Sequence, residues 1–303
     1  MNEVEKSTSI SNHNRLAYMP ELDGLRGVAI IGVMLAHAKV PFLKGGSIGV
    51  SIFFVLSGFL ITTLLVQEFD RFQSISLKNF YMRRVIRLAP ALIAMLIVFC
   101  LLSFVLLSKD RAYWNYTDSI IAVFYFSNWA KAFSIHPPDF LLHTWSLSVE
   151  EQFYMIWPIV LLLILRVSKH RYYAAIVAVT IALLSCFFRI FLCASGATIA
   201  RLYFGLDTRI DGLMVGCTLG VVISSGLIAD NLKTTLSKIT VIIAPFSAVA
   251  LFVFFVLYRH QDPATYYFGF IVVQILAAIL IIDIFLNSQS SFIGKRLSNQ
   301  WLV

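Results

Sequence analysis

Charged residues are scarce in this sequence. Only 13% of its 303 residues are Asp, Glu, Lys or Arg, and 59% are hydrophobic, whereas about 25% of the residues of a soluble domain are charged. This composition excludes an ordinary soluble protein. It predicts a polytopic membrane protein of the all-α class, a transmembrane helical bundle with about eight to nine membrane helices and short interfacial helices.

Cysteines and internal repeats are also scarce. The four cysteines fall in or beside apolar runs, without metal-ligand spacing or a disulfide framework. This argues against a zinc or redox function, and no metal or tightly bound cofactor is predicted. No internal repeat is visible, which weakens an inverted-repeat transporter. The net charge of +8 needs no nucleic acid, because basic loops facing anionic lipid account for it.

Long apolar runs fill most of the chain. About 20 apolar residues span a bilayer as a helix, and a ninth run near 119–133 is shorter than that. The predicted domains are an N-terminal tail at 1–20, a membrane bundle at 21–290 and a C-terminal tail at 291–303. The eight longer runs lie at 24–43, 46–67, 88–107, 141–165, 173–193, 207–228, 239–257 and 266–286.

The distribution of basic residues predicts the orientation. Cytoplasmic loops carry an excess of Lys and Arg, and five such residues lie between the second and third runs, against two between the first and second. We therefore predict that the loop between the second and third runs, and with it the N-terminus, is cytoplasmic. The five residues are Arg71, Lys78, Arg83, Arg84 and Arg87, and the two are Lys39 and Lys44.

His37 lies in the first apolar run, where an ionisable ring is costly and normally has a function. The structural alternative is a ring whose nitrogen is tied to a backbone carbonyl. At the start of the same run, Asp23 is predicted to be a helix N-cap, and Arg26 is spaced for a local ion pair with it.

Two further segments carry charges beside apolar runs. Arg84 and Arg87, next to Arg83, are three residues apart and share a helix face, which suits either phosphate binding or anchoring at lipid headgroups. Asp207, Arg209 and Asp211 stand at the head of another run. They either satisfy one another or contribute to a polar interior.

Glu150 is the candidate acid of the segment that begins at Trp145. Ser148 and Glu151 have the spacing of a capping box, which leaves Glu150 on a helix face with Ser146 and Tyr154. A carboxylate flanked by hydroxyls could orient an imidazole or take a proton from a sugar hydroxyl. The alternative is that the whole segment only caps a helix.

Small residues recur between Gly45 and Gly58. Small residues on one helix let a neighbouring backbone approach closely, so we interpret this segment as a packing surface without chemistry.

Taken in order, these segments resemble the integral-membrane acyltransferase-3 family, which contains bacterial O-antigen and other polysaccharide O-acetyltransferases. The resemblance covers about 18–220. It rests on Leu-Asp-Gly-Leu-Arg-Gly with a later histidine, Phe-Phe-Val-Leu-Ser-Gly-Phe-Leu, Arg-Arg-x-x-Arg, Trp-Ser-Leu-x-x-Glu-x-Gln-Phe-Tyr and Arg-x-Asp-Gly.

The resemblance implies roles for single residues. His37 matches the family's essential histidine, as a general base or a transient acyl carrier, and Glu150 matches its motif acid, which would orient groups or relay protons. Arg84 and Arg87, with Arg83, match the arginines linked to acyl-CoA. Arg26 or Arg209 would stabilise an oxyanion, and the remaining supporting polar residues are Asp23, Ser146, Tyr154 and Asp211.

The expected activity is transfer of an acyl group, acetyl by resemblance, from cytoplasmic acyl-CoA to a hydroxyl of a cell-surface or lipid-linked glycan such as O-antigen. The expected partners are acyl-CoA, the glycan acceptor and the lipid bilayer of the bacterial inner membrane. The family's bundle usually closes with a last helix that we expect to be missing after Ile293. The alternatives are a transporter or flippase of a glycolipid or acyl donor, a non-catalytic scaffold, and an inactive truncated member of the family.

Overall fold

A computed structural model describes residues 19–41, 45–135, 140–168, 170–258, 261–287 and 291–299. Over these ranges the chain forms helices and connecting turns without a β-strand, which confirms the all-α prediction. The predicted N-terminal tail lies outside the described residues up to position 18, and so do Lys44 and the last four positions of the predicted C-terminal tail.

The helices follow one another with short connections. A π-helical turn at Thr265–Gly269 leads directly into α11. The α-helices are α1 Pro20–His37, α2 Gly46–Phe72, α3 Leu77–Leu106, α4 Lys109–Val123, α5 Ser127–Ala132, α6 Thr144–Val167, α7 Tyr172–Ala194, α8 Ile199–Phe204, α9 Leu206–Ser224, α10 Asp230–Leu257, α11 Phe270–Asn287 and α12 Phe292–Leu297.

Six helical segments of the described chain are long and apolar enough to cross a membrane, judged by length and composition. The predicted count of about eight to nine is therefore not confirmed. Two predicted spans, α1 and α9, fall short because each has three charged residues near its start, which leaves fewer apolar residues than a bilayer requires. The run at 119–133 is divided between α4 and α5. The six segments are α2, α3, α6, α7, α10 and the π-helical turn together with α11.

The chain divides into two compact units. The first comprises Met1–Ser74, Ile164–Ala182 and Gly212–Val303, and the second comprises Ile75–Leu163 and Leu183–Asp211. The main hydrophobic core of the first unit is formed by α1, α2, α10, α11 and α12. In the second unit, α4 packs against α3, and α5 packs against α8.

Close helix packing in the first unit depends on small residues. Gly49 of α2 faces the Ala29 carbonyl of α1, and Gly58 faces the Leu213 carbonyl of α9 so closely that a Cβ would collide with it. These contacts agree with the interpretation of the small residues in α2 as a packing surface. A glycine also permits close backbone approach on α9, where a Cβ at Gly220 would lie 2.8 Å from the Phe59 carbonyl oxygen.

Gly220→Ala is expected to destabilise the first unit by about 1–3 kcal/mol, because the backbones of α2 and α9 would have to separate. The measurement is the Tm of the detergent-purified chain. Gly269→Ala is the matched control, because its Cβ would meet its nearest neighbours at 3.7 Å, an ordinary contact distance. Equal Tm values for the two variants would show that the close approach of α2 and α9 contributes no stability.

Candidate active site

His37 is the last residue of α1 and is exposed. Its Nδ1 lies 2.8 Å from the carbonyl oxygen of Val33. A carbonyl can only accept a hydrogen bond, so Nδ1 donates the proton, and in the neutral ring the lone pair is then on Nε2. The backbone tie foreseen as the structural alternative is therefore present, and it also leaves a basic nitrogen on the outer edge of the ring.

The end of α1 is fixed by its neighbours in the first unit. A Cβ at Gly46 would lie 2.7 Å from the Cβ of Ala36, so the start of α2 approaches the residue before His37 closely. The backbone N–H of Gly45 donates to the Phe255 carbonyl at 2.9 Å, which ties the start of α2 to α10. The start of α2 therefore lies close to the end of α1, where His37 is the last residue.

The predicted N-cap at Asp23 is wrong. The helix begins at Pro20, three residues earlier, because proline suits the first turn, where its missing N–H costs nothing. Asp23 lies instead in the first helical turn, where a carboxylate interacts favourably with the helix dipole. The predicted local ion pair is confirmed: Arg26 Nη1 lies 3.5 Å from Asp23 Oδ1.

In the second unit, Arg84 is held on two sides. Its Nη2 donates to Glu151 Oε1 at 2.7 Å, and its guanidinium lies over the Tyr154 ring, 3.3 Å from the ring centroid. Arg83 and Arg87 are exposed. The three arginines predicted to bind the donor therefore lie in different environments. Arg84 is paired with a carboxylate of the protein, and the other two are exposed.

The predicted capping box at Ser148 and Glu151 is wrong. The helix begins at Thr144, so Ser148 lies one turn inside it and donates to the Thr144 carbonyl at 3.0 Å. Glu151 pairs with Arg84 instead. Glu150 is buried, with 7% of its surface exposed, and a helix places it on the same face as Ser146 and Tyr154.

A hydrogen-bonded network supports this part of α6. Gln152 Nε2 donates to the Tyr125 carbonyl at 2.6 Å and to Asn128 Oδ1 at 2.9 Å, and Trp129 Nε1 donates to Gln152 Oε1 at 3.1 Å. Burial, together with the negative charge of Glu151, raises the pKa of Tyr125 above its usual value. The Tyr125 phenol therefore stays neutral at physiological pH.

The charges at the head of α9 find partners on other helices. Asp211 Oδ2 lies 2.5 Å from Arg189 Nη1 of α7, and Asp207 forms two hydrogen bonds with Arg201 of α8, at 2.8 and 2.5 Å. Asp207 and Asp211 are thus each paired with an arginine of another helix.

Arg209 is buried and lies 5.5 Å from the centroid of the Tyr203 ring. Tyr203 also packs against Trp145, with 4.8 Å between their ring centroids. One tyrosine of α8 therefore contacts residues of two separate sequence motifs, Trp-Ser-Leu and Arg-x-Asp-Gly.

Sequence reasoning missed Arg189, Arg201, Tyr203 and the role of Glu151. Arg189 had a signal, because it is the single charged residue of the apolar segment Tyr172–Ala194 and an isolated charge in such a run indicates a buried partner. Glu151 and Tyr203 had no such signal.

The predicted site residues fall into the two units as follows. The first unit contains Asp23, Arg26 and His37. The second contains Arg83, Arg84, Arg87, Ser146, Glu150, Tyr154, Arg209 and Asp211.

Comparison with known protein families identifies the family of this chain. The acyltransferase-3 family model, described as "Acyltransferase domain", matches residues 19–303. The chain belongs to this family. Acyltransferase-3 membership, together with the six apolar helical segments, makes it a multi-pass membrane protein.

Relatives within the acyltransferase-3 family are longer proteins. The "Peptidoglycan O-acetyltransferase OatA" of Listeria monocytogenes is 34% identical over 93% of this chain and 46% of its own length. The "Putative peptidoglycan O-acetyltransferase YrhL" of Bacillus subtilis is 35% identical over 95% of the chain and 46% of its own length. The "Putative O-acetyltransferase SAS0844" of Staphylococcus aureus is 33% identical over 99% and 50%, respectively. The chain thus spans about half the length of these relatives. No solved structure matches it.

Proposed function

We propose that this chain is a membrane O-acyltransferase that moves an acetyl group from cytoplasmic acyl-CoA to a hydroxyl of a cell-surface glycan. Family membership supports the reaction class. The observation that carries the proposal is the His37 ring, whose Nδ1 donates to the Val33 carbonyl. That bond leaves Nε2 as the proton acceptor of the neutral ring.

The proposed transfer step uses Nε2 of His37 as the base. Nε2 of His37 accepts the proton of the acceptor hydroxyl while the hydroxyl oxygen attacks the thioester carbonyl carbon. The carbon–sulfur bond then breaks, the ester forms, and the imidazolium returns the proton to the CoA sulfur. If His37 acts as an acyl carrier instead, Nε2 attacks the thioester carbonyl first and the carbon–sulfur bond breaks to release the CoA thiolate. The acceptor hydroxyl then attacks the acyl-imidazole carbonyl, the carbon–nitrogen bond breaks as the ester forms, and the hydroxyl proton passes to the CoA thiolate.

In this proposal, other predicted residues bind the donor and stabilise charge. Arg84, Arg87 and Arg83 bind the phosphates of the donor, because guanidinium groups pair well with phosphate oxygens. Glu150 relays protons or orients the reacting groups. Arg209, buried with 1% of its surface exposed, or Arg26 in the first unit stabilises the carbonyl oxyanion.

The acceptor in the proposal is a cell-wall glycan hydroxyl rather than an O-antigen hydroxyl. Two of the three relatives are named for peptidoglycan, and none of the three relatives is named for O-antigen. The proposal places the protein in the inner (cytoplasmic) membrane of a bacterium with its N-terminus in the cytoplasm. The excess of basic residues at the end of α2 and in the first turns of α3 supports that orientation.

Acetyl-CoA labelled in its acetyl group tests the function. Membrane vesicles that carry the 303-residue chain and expose its cytoplasmic side are incubated with the label, and alkali-labile label is measured in the glycan fraction. Vesicles without the chain are the control. We expect ester-linked label only with the chain, and label no higher than in the control would refute the proposal.

A further inference from the structure

Glu151 is a buried carboxylate to which the family resemblance assigned no role. It lies on α6 next to Glu150, with 9% of its surface exposed. Its partner is Arg84, 67 positions earlier in the chain, and the Nη2–Oε1 distance of 2.7 Å is typical of a strong, charge-assisted hydrogen bond.

Arg84 is thereby fixed in direction. The Tyr154 ring supports one face of the guanidinium, and Glu151 holds one of its terminal nitrogens. A long arginine side chain otherwise loses considerable rotamer entropy when it binds a ligand. Because both contacts come from α6, they set the guanidinium in place before any ligand arrives.

One N–H group of the guanidinium has no acceptor among the residues that the structure describes. Within the described part of the chain, Arg84 Nε is buried and has no hydrogen-bond acceptor. A buried N–H without an acceptor costs about 1–3 kcal/mol, a cost that a ligand oxygen would remove. The positive charges of the neighbouring, exposed Arg83 and Arg87 favour an anionic ligand. They oppose the negative charges of Glu150 and Glu151 near Arg84.

We propose that Glu151 is a positioning residue that holds Arg84 so that its remaining N–H groups bind a phosphate oxygen of the acyl donor. The inference rests on the proposed function in naming the donor as coenzyme A. Glu151 itself does not touch the ligand, and it acts through Arg84.

Binding of coenzyme A to the purified full chain tests the proposal by titration calorimetry. Glu151→Ala is expected to weaken binding about tenfold to hundredfold, the loss typical of a charged hydrogen bond. Glu151→Gln retains an acceptor oxygen and is expected to keep most of the affinity. If the alanine variant does not fold, binding of coenzyme A by Glu151→Gln as weak as that of Arg84→Ala would contradict the proposal.

Two further measurements distinguish a positioning role of Glu151 from a structural one. The double variant Arg84→Ala with Glu151→Ala should bind no more weakly than Arg84→Ala alone, since both changes remove one function. In acyl transfer, Glu151→Ala should raise KM for the donor and leave kcat largely unchanged.

The controls use matched residues and ligands. Asp230→Ala removes a carboxylate from an exposed ion pair with Lys233 and should leave binding unchanged. Pantetheine, which lacks phosphates, should bind weakly and without dependence on Glu151. Phosphatidic acid in mixed micelles tests a lipid headgroup as the source of the phosphate.

Four results would overturn the inference. They are unchanged or tighter binding of coenzyme A by Glu151→Ala, additive losses in the double variant, a fall in kcat at constant KM, and a dependence on Glu151 for phosphatidic acid but not for coenzyme A. Coenzyme A binding that depends on Glu151, with no label transferred in the vesicle assay, would refute the proposed function and leave the positioning role standing.

Discussion

Replacing His37 with alanine or glutamine is expected to lower acyl transfer by at least about a hundredfold, the usual contribution of a general base. The physical reason is the loss of the Nε2 lone pair, which accepts the hydroxyl proton or attacks the thioester. The measurement is the rate of ester formation in vesicles that contain equal amounts of each protein.

The glutamine variant separates chemistry from packing. Its amide N–H can still donate to the Val33 carbonyl, the acceptor of the bond that His37 makes at the end of α1, but an amide is no base. His37 is exposed, so we expect the Tm of both variants to stay close to that of the unchanged chain.

His170→Ala is the matched control, because His170 is an exposed histidine in the loop between α7 and the preceding helix and has no proposed role. Its activity should equal that of the unchanged chain. Undiminished transfer by His37→Gln at a normal protein level would refute the assignment of His37.

Arg189→Met is expected to destabilise the protein by about 3–5 kcal/mol, the cost of removing one member of a buried ion pair. Asp211, with 1% of its surface exposed, would lose the charge-assisted hydrogen bond that Arg189 Nη1 donates to it. The Thr208 carbonyl would also lose the Arg189 N–H that donates to it at 2.7 Å. The measurement is the Tm in detergent.

Arg201→Met is the comparison for this prediction. It breaks the ion pair with Asp207, whose side chain is 36% exposed. Because solvent can reach the remaining carboxylate, the loss of stability should be smaller than that of Arg189→Met. Adding Asp211→Asn to Arg189→Met removes the buried charge and should restore part of the Tm. Equal losses for Arg189→Met and Arg201→Met would contradict the role of burial.

Local features of the site were accessible from the sequence. The ion pair of Arg26 with Asp23 depends on a spacing of three residues within one helix, and helix geometry fixes that distance. The tie of His37 to a backbone carbonyl, foreseen as the structural alternative, is also local, since Val33 is four residues earlier. The capping assignments failed because the starts of α1 and α6 were placed too late.

The partners of the buried charges could not be predicted from the sequence. Glu151 pairs with Arg84 across 67 positions, and Asp211 pairs with Arg189 across 22. Periodicity and spacing describe one helix at a time, so they cannot state which faces of two helices meet.

The sequence by itself determined the all-α class, the acyltransferase-3 family and the candidate residues, because composition and ordered motifs are local properties of the chain. Only the tertiary structure decided what each charge contacts. Arg84 contacts Glu151 and Tyr154, and Asp211 contacts Arg189. The physical reason is that a buried charge must find its opposite charge or hydrogen-bond partner wherever packing brings one near, and helix packing within each unit sets those places.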